Sequence, residues 1–233
     1  MRNYLSFGGG VNSVAMYLYL KDQGIKFEAV FVDHGTDWPE TYEYVEMFKE
    51  KYPLTILKPN VQGFDNLYEF CFNKGIIPSR RFKWCSDKFK IQVMQKYFIK
   101  PCFNLIGYDF DEAKRAKIFY HKGTENRFPL IEAKIGRYGC KKIINKHRLP
   151  MPQKSGCFIC YNQKRGELIK LRMNHPCLFE KARRLENKAS KIRESKGKSR
   201  IYIKHPIPLN AFVEEAQYKL FKQDEYPPCQ CML

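Results

Sequence analysis

Residues Ser6-Phe7-Gly8-Gly9-Gly10-Val11-Asn12-Ser13 join three glycines to two hydroxyls and an amide. Tyr4-Leu5 before them reads as a strand, and Val14 to Leu20 after them reads as a buried helix that stops at Gly24. A strand, a glycine run and a helix start together make a phosphate cradle. Glycine lets the backbone approach an anion closely, and the N–H groups and dipole of the helix start then hold it. The spacing fits neither Gly-x-x-x-x-Gly-Lys-Ser/Thr, since no lysine follows the glycines, nor Gly-x-Gly-x-x-Gly. The same glycines would also suit a βα turn that holds nothing. The second chemical signal is Cys157-Phe158-Ile159-Cys160. A Cys-x-x-Cys turn brings two thiolates close enough to share one metal ion or cluster.

Composition sets the frame for both signals. At 233 residues and 44% hydrophobic, the chain can bury one proper core with a smaller appendage. No apolar run approaches the roughly 20 residues of a membrane span, and the chain enters a strand directly rather than an apolar leader. The expectation is a cytoplasmic protein with no membrane partner. Nine cysteines in that setting favour metal or redox chemistry over a disulfide framework. The net charge of +18 is uneven: residues 1–70 hold 6 basic against 10 acidic residues, and the remainder holds 36 against 14. An acidic front and a strongly basic back point to a polyanionic partner, most simply a nucleic acid. A uniformly lysine-rich proteome would give the same excess without such a partner.

The elements that must position these residues alternate. Phe27 to Val32 reads as a second strand ending at Asp33. A helix capped by Thr36 or Asp37, with Pro39 in its first turn, follows. Leu54 to Leu57 is a third strand, 65–73 a short helix, and a longer helix lies within 83–98. Phe103 to Ile106 returns to strand and 111–119 to helix. This order predicts an α/β domain with a largely parallel sheet, whose strand ends gather Gly8 to Ser13, Asp33 and Gly107. Beyond 125, helices are expected at 136–147, 163–173 and 176–194, with an extended, proline-bearing tail marked by Pro206, Pro208, Pro227 and Pro228. Two regions follow: a nucleotide-binding α/β domain over 1–125, and a basic, mainly helical, cysteine-containing region over 126–233 packed on it.

The glycine stretch resembles the PP-loop, Ser-Gly-Gly-x-Asp-Ser, of the ATP pyrophosphatase and PAPS reductase superfamily, with Asn12 where the family usually has Asp. Asp33-His34-Gly35-Thr36-Asp37-Trp38-Pro39-Glu40-Thr41-Tyr42 resembles the family's Asp-Thr-Gly-x-x-Phe-Pro-Glu-Thr-Tyr segment. The run from Arg81 to Lys90, containing Cys85-Ser86, looks like its Arg-x-Cys-(Thr/Ser)-x-x-x-Lys segment. The run from Gly107 to Arg115 is similar to its Gly-x-x-x-x-Glu-(Ser/Ala)-x-Arg segment. Four ordered matches across 6–115 are far more specific than any one of them. The resemblance implies a Rossmann-like (HUP-type) fold that binds ATP with Mg²⁺. Ser6, Gly8, Gly9, Gly10, Asn12, Ser13, Asp33, Arg81, Lys88, Gly107, Glu112 and Arg115 would form the nucleotide site, with Lys90 a further basic candidate. Asn12 and Ser13 would sit at the reacting phosphates. Asparagine keeps the shape of aspartate but lacks the charge that could help hold Mg²⁺. On that account Asn12→Asp should leave pyrophosphate release unchanged or raise it.

Lys154-Ser155-Gly156-Cys157-Phe158-Ile159-Cys160 and Gly136-Arg137-Tyr138-Gly139-Cys140 look like the C-terminal half of a subgroup that resembles the iron–sulfur sulfurtransferases of DNA phosphorothioation and tRNA thiolation. That likeness implies a cluster, of the 4Fe-4S kind, on Cys85, Cys140, Cys157 and Cys160. A Cys₄ zinc site would use the same residues. Cys229 and Cys231 near the chain end loosely resemble the tail nucleophile of PAPS reductases. They could carry sulfur or attack, with Cys231 the catalytic candidate, could complete the cluster, or could be inert. Cys71, Cys102 and Cys177 read as structural. The favoured function is ATP-dependent adenylation of a nucleic-acid acceptor, tRNA or DNA, followed by sulfur transfer from a cluster, a cysteine or a sulfur-donor protein. The alternatives are a phosphoadenosine or adenosine phosphosulfate reductase, and a non-catalytic nucleotide- or nucleic-acid-binding module.

Overall fold

A computed structural model describes residues 1–79, 82–116 and 120–214. Its centre is a sheet of order β3-β2-β1-β4-β6-β5. β1 (Arg2–Phe7), β2 (Glu28–Val32), β3 (Thr55–Leu57), β4 (Cys102–Ile106) and β6 (Thr124–Arg127) are parallel. β5 (Tyr120–His121) pairs antiparallel with β6 at one edge. The α/β, Rossmann-like, mostly parallel architecture is therefore as expected. Strand β6 was not expected at all. Its sequence Thr-Glu-Asn-Arg is polar and only Thr124 is buried, so it carries no apolar signal.

Alternation along β1 sorts the core onto two faces. Leu5 and Phe7 point to one side, with Ala29, Phe31 and Leu105, against α1 (Val11–Asp22) and α2 (Pro39–Lys51). Tyr4 points to the other, with Val30, Val32 and Cys102, against Met94 and Phe98 at α5 (Gln92–Tyr97). Tyr4 and Phe98 stack with centroids 4.4 Å apart.

Helix α1 is buried along nearly its whole length, from Val11 to Leu18 and again at Leu20. A helix apolar all round must be covered all round. The sheet covers one side, and α7 (Arg137–Lys146) covers another through Cys140 and Ile144. The boundary expected at residue 125 thus falls inside β6, and the next elements, including α6 (Pro129–Glu132), complete the sheet domain's own core.

A second core joins α3 (Leu67–Lys74), the Cys-x-x-Cys turn, α8 (Arg165–Asn174), α9 (Pro176–Glu194) and α10 (Leu209–Glu214). Both long C-terminal helices stand where the sequence puts them. Pro208 immediately precedes α10, and the expected tail prolines Pro227 and Pro228 lie outside the described residues. The segment 83–98 is less regular than expected: α4 (Trp84–Ser86), a π-helical turn over Asp87–Ile91, then α5. Residues Phe110–Arg115 form a 3-10 turn rather than the start of an α-helix. Trp38, not Thr36 or Asp37, occupies the N-cap position of α2 and makes no side-chain capping bond, because both polar side chains are engaged elsewhere.

Candidate nucleotide and sulfur site

Gly9 takes a left-handed φ of 67°, and a Cβ there would stand 3.1 Å from Thr41 Cγ2 and 3.2 Å from Val45 Cγ2. Only glycine meets both constraints without strain. Gly10 ends the loop in an extended conformation and offers α1 no side-chain cap. The first N–H groups of α1 therefore lack the partner that a capping side chain supplies elsewhere. Ser13 Oγ donates to Gly10 O at 2.9 Å and tightens the turn. From the next strand, Gly107 presses against the loop: a Cβ on it would lie 3.2 Å from both Cα and N of Ser13. The ends of β1 and β4 are the two sides of the crevice where ligands of such sheets bind.

Behind the loop, on the α5 side of the sheet, lies an enclosed and mainly apolar cavity. Gly8, Val30, Val32, Met94 and Ile106 line it, with polar groups from Ser6, Ser86, Lys90 and Asn104. Ser6 Oγ donates to Asn104 Oδ1 at 2.7 Å. At about 50 Å³ this slot has room for only a water molecule or two, well below the volume of a ligand site. Of the basic candidates in the Arg81–Lys90 stretch, Lys90 lines this cavity while Lys88 does not. Arg81 lies outside the described residues.

Asn12 is 8% exposed and sits among charges. Its amide donates to Asp109 Oδ2 at 3.0 Å and to Glu112 Oε2 at 2.7 Å. Its oxygen accepts from Arg137 Nη1 at 2.6 Å. Burial pushes both carboxyls above their ordinary range, against the pull of Asn12 on Asp109 and of Arg115 on Glu112. Arg115 pairs with Glu112 and lies over the Tyr108 ring at 4.5 Å. Glu112 thus meets the loop through Asn12, and Arg115 meets Glu112 rather than the loop itself. Asp109 and Arg137 lie in the 107–115 and 136–140 stretches, but nothing in their local sequence marks them as partners of Asn12. Arg137 stands too far along the chain for any local pattern to pair it with Asn12.

Asp33 accepts from Gly35 N and from the Tyr42 hydroxyl, each at 2.9 Å. It braces the loop after β2, and this loop reaches the cysteines. Trp38 N donates to Gly156 O at 3.0 Å and Phe158 N to Thr36 O at 2.9 Å, an antiparallel bridge centred on Asp37 and Cys157. Cys157 Sγ donates to Thr36 Oγ1 at 3.1 Å, and Thr36 Oγ1 lies 2.7 Å from His34 Nδ1. His34 Nε2 faces Asp37 Oδ2 at 3.5 Å. His34 is fully buried, which lowers its pKa from 6.5 to about 4 and keeps it neutral. One residue before Gly156, Ser155 stands over the glycine loop: a Cβ on Gly10 would meet its Oγ at 2.8 Å.

The four expected metal ligands are not brought together. Cys157 and Cys160 share the second core with Cys85 packed against it, but Cys140 is buried under α1 in the first. Burial raises the thiols of Cys85, Cys140 and Cys157 above the ordinary range, Cys140 to about 12. Among the described residues no group of three or more Cys, His, Asp or Glu side chains is placed to hold a metal ion. The described residues therefore do not fit a four-cysteine cluster or zinc site. The reason is the packing of α7 on α1, which draws Cys140 to the other core. Cys229 and Cys231 lie outside the described residues.

These features define an α/β protein with a glycine loop at the switch point of a mostly parallel sheet. Residues 2–133 match the phosphoadenosine phosphosulfate reductase domain, and the chain belongs to that family. It is 28% identical over 194 residues to the uncharacterized protein MJ0066 of Methanocaldococcus jannaschii, covering 76% of this chain and 40% of that one. A second protein of that organism, the uncharacterized MJ0973, is 24% identical over 190 residues, covering 76% and 45%. The chain spans less than half the length of these curated relatives. In fold it is similar to a phosphoadenylyl-sulfate reductase from Candida auris, solved with phosphate. That likeness has a TM-score of 0.52 at 18% identity and covers 65% of this chain and 75% of that one. Among the described residues, no helix is long and apolar enough to cross a membrane.

Proposed function

We propose that the chain binds ATP and uses it to adenylate an oxygen of a nucleic-acid acceptor, releasing pyrophosphate, after which sulfur delivered by a sulfur-donor protein displaces AMP. The observation that carries this reading is the seating of Ser155 over Gly10 together with the Asp37–Cys157 bridge. These contacts hold a thiol pair beside the phosphate cradle rather than on a remote surface. The α1 amides would receive the phosphates, and Lys90 and Arg137 would offset their charge. Mg²⁺ carried on ATP would be held chiefly by phosphate and water, and the loop amides would stabilise charge developing at the α-phosphate. Cys157, buried and donating to Thr36, would brace the turn beside the cradle rather than carry sulfur itself.

Gly9→Val should abolish ATP binding, since its side chain enters the space between loop and α2. Calorimetry on the folded variant checks this, and undiminished affinity rules the site out. The family match favours one second reading, reduction of a phosphosulfate nucleotide. ATP binding with pyrophosphate release supports the first reading. Binding of phosphoadenosine phosphosulfate with no ATP turnover supports the second.

A further inference from the structure

A second cavity, of about 530 Å³, opens on the opposite side of the Asp33–Pro39 loop and shares no lining residue with the first. Its volume lies within the range of small-molecule sites. Its walls are Gly35, Asp37, Pro39 and Tyr42 from the loop and α2, Asn66 and Tyr68 at the start of α3, and Phe158 between the two cysteines. Glu43, Glu69, Leu178 and Lys181 complete it.

Two properties set this cavity apart. In a chain of net charge +18, it presents three carboxylates, Asp37, Glu43 and Glu69, against Lys181 alone. It also presents aromatic faces: Tyr68 and Phe158 lie with centroids 5.8 Å apart, inclined by 38°. Carboxylates repel phosphate and accept from N–H donors, while aromatic faces stack on planar rings. The surroundings are the reverse. Lys181, at the rim, begins a row with Arg184, Lys188 and Lys191, spaced three, four and three residues apart on one face of α9. Lys188 also lies 4.0 Å over the Phe72 ring, which stacks on Tyr68. A phosphate-repelling pocket at the foot of a phosphate-attracting helix face divides one ligand into two parts.

We propose that this cavity receives an unpaired nucleobase bearing an exocyclic amine, turned out of its strand, while the α9 row holds the flanking phosphates. The proposal rests on the nucleic-acid reading and names the part of the acceptor held beside the Cys-x-x-Cys turn, against Phe158. The amine donates to Glu69 or Glu43, and the ring lies against Tyr68.

The test uses the full chain and fluorescently labelled single-stranded DNA dodecamers of cytosine, adenine, thymine and abasic sites, followed by anisotropy at about 0.15 M salt. Cytosine and adenine strands should bind about tenfold more tightly than thymine and abasic strands, the scale of one stacked and hydrogen-bonded base. The double variant Glu43→Ala with Glu69→Ala, both at exposed positions, removes both acceptors and should bring them down to the thymine level, and Tyr68→Ala should do the same. Reversing Arg184 and Lys188 to glutamate should weaken all four alike. Equal affinity for the four strands overturns the pocket assignment and leaves the nucleic-acid reading standing. A preference that survives both pocket variants also overturns it. Failure of every strand to bind overturns both.

Discussion

Asn12 spends every hydrogen-bonding atom of its side chain on a charged partner: two carboxylates on the amide and one guanidinium on the oxygen. Read from sequence alone, the residue is an aspartate that has lost its charge, and restoring the charge should do no harm. The geometry reverses that expectation. Aspartate at position 12 would keep Arg137 but face Asp109 and Glu112 without a donor, and like charges at that range oppose ionisation. Asn12→Asp should lower stability at neutral pH by about 2 kcal/mol or more and weaken nucleotide binding, with partial recovery as acid protonates the trio. A melting temperature equal to the parent's at neutral pH would refute this account. His34 carries the opposite pH signature to these carboxyls. Its folded pKa of about 4 lies below the ordinary 6.5, so the unfolded chain binds the proton first. Its contribution is intact above pH 6.5 and is lost as pH falls toward 4, by about 3 kcal/mol in full. The raised carboxyls of Asp109 and Glu112 favour the folded state as pH falls, so the parent's profile mixes the two. Urea midpoints of His34→Gln and the parent should converge toward the acid end. A constant difference between them across that range would show that His34 does not titrate as described.

At the level of elements, the strands and helices that carried an apolar pattern were legible, and those built on polar chain were not. The glycine loop announces itself because left-handed backbone and close approach demand glycine. β6 does not, because of its four residues Thr-Glu-Asn-Arg only Thr124 is buried, so its place between β4 and β5 rests on main-chain pairing rather than on apolar side chains. The start of α2 differs from its sequence pattern for a related reason: Thr36 and Asp37 look like caps, but His34 and Cys157 take up Thr36, and His34 faces Asp37. Helix α9 shows the same logic at its far side. Glu186, 2% exposed, accepts from Ile203 N at 2.8 Å and Leu209 N at 2.9 Å, and so fastens the segment leading into α10. Glu186→Ala should leave two buried N–H groups unpaired and cost about 3 kcal/mol. It should also free the 201–209 segment to early proteolysis. Parent-like stability together with parent-like resistance would refute that role.

For the whole molecule, the division expected at 125 separates pieces that share one interior. Leu130, Cys140, Ile144 and Leu149 belong to the same core as Leu5, Val14 and Phe48, and cutting there would expose the outer side of α1. Residues 1–125 expressed alone should remain unfolded or aggregate, as judged by a missing cooperative thermal transition. A soluble, cooperatively melting fragment would restore the two-domain description. The Cys-x-x-Cys turn, by contrast, was legible as a motif but not as a neighbour of the phosphate loop, since nothing local links Ser155 to Gly10. The main-chain bridge between 36–38 and 156–158 that makes them neighbours has a kinetic corollary. The amides of Trp38 and Phe158 each donate across it, so neither can exchange its hydrogen with solvent until the other's strand lets go. In deuterated water the two should therefore label together, and a peptide carrying Phe158 would report on the opening of a loop that belongs to the other end of the chain.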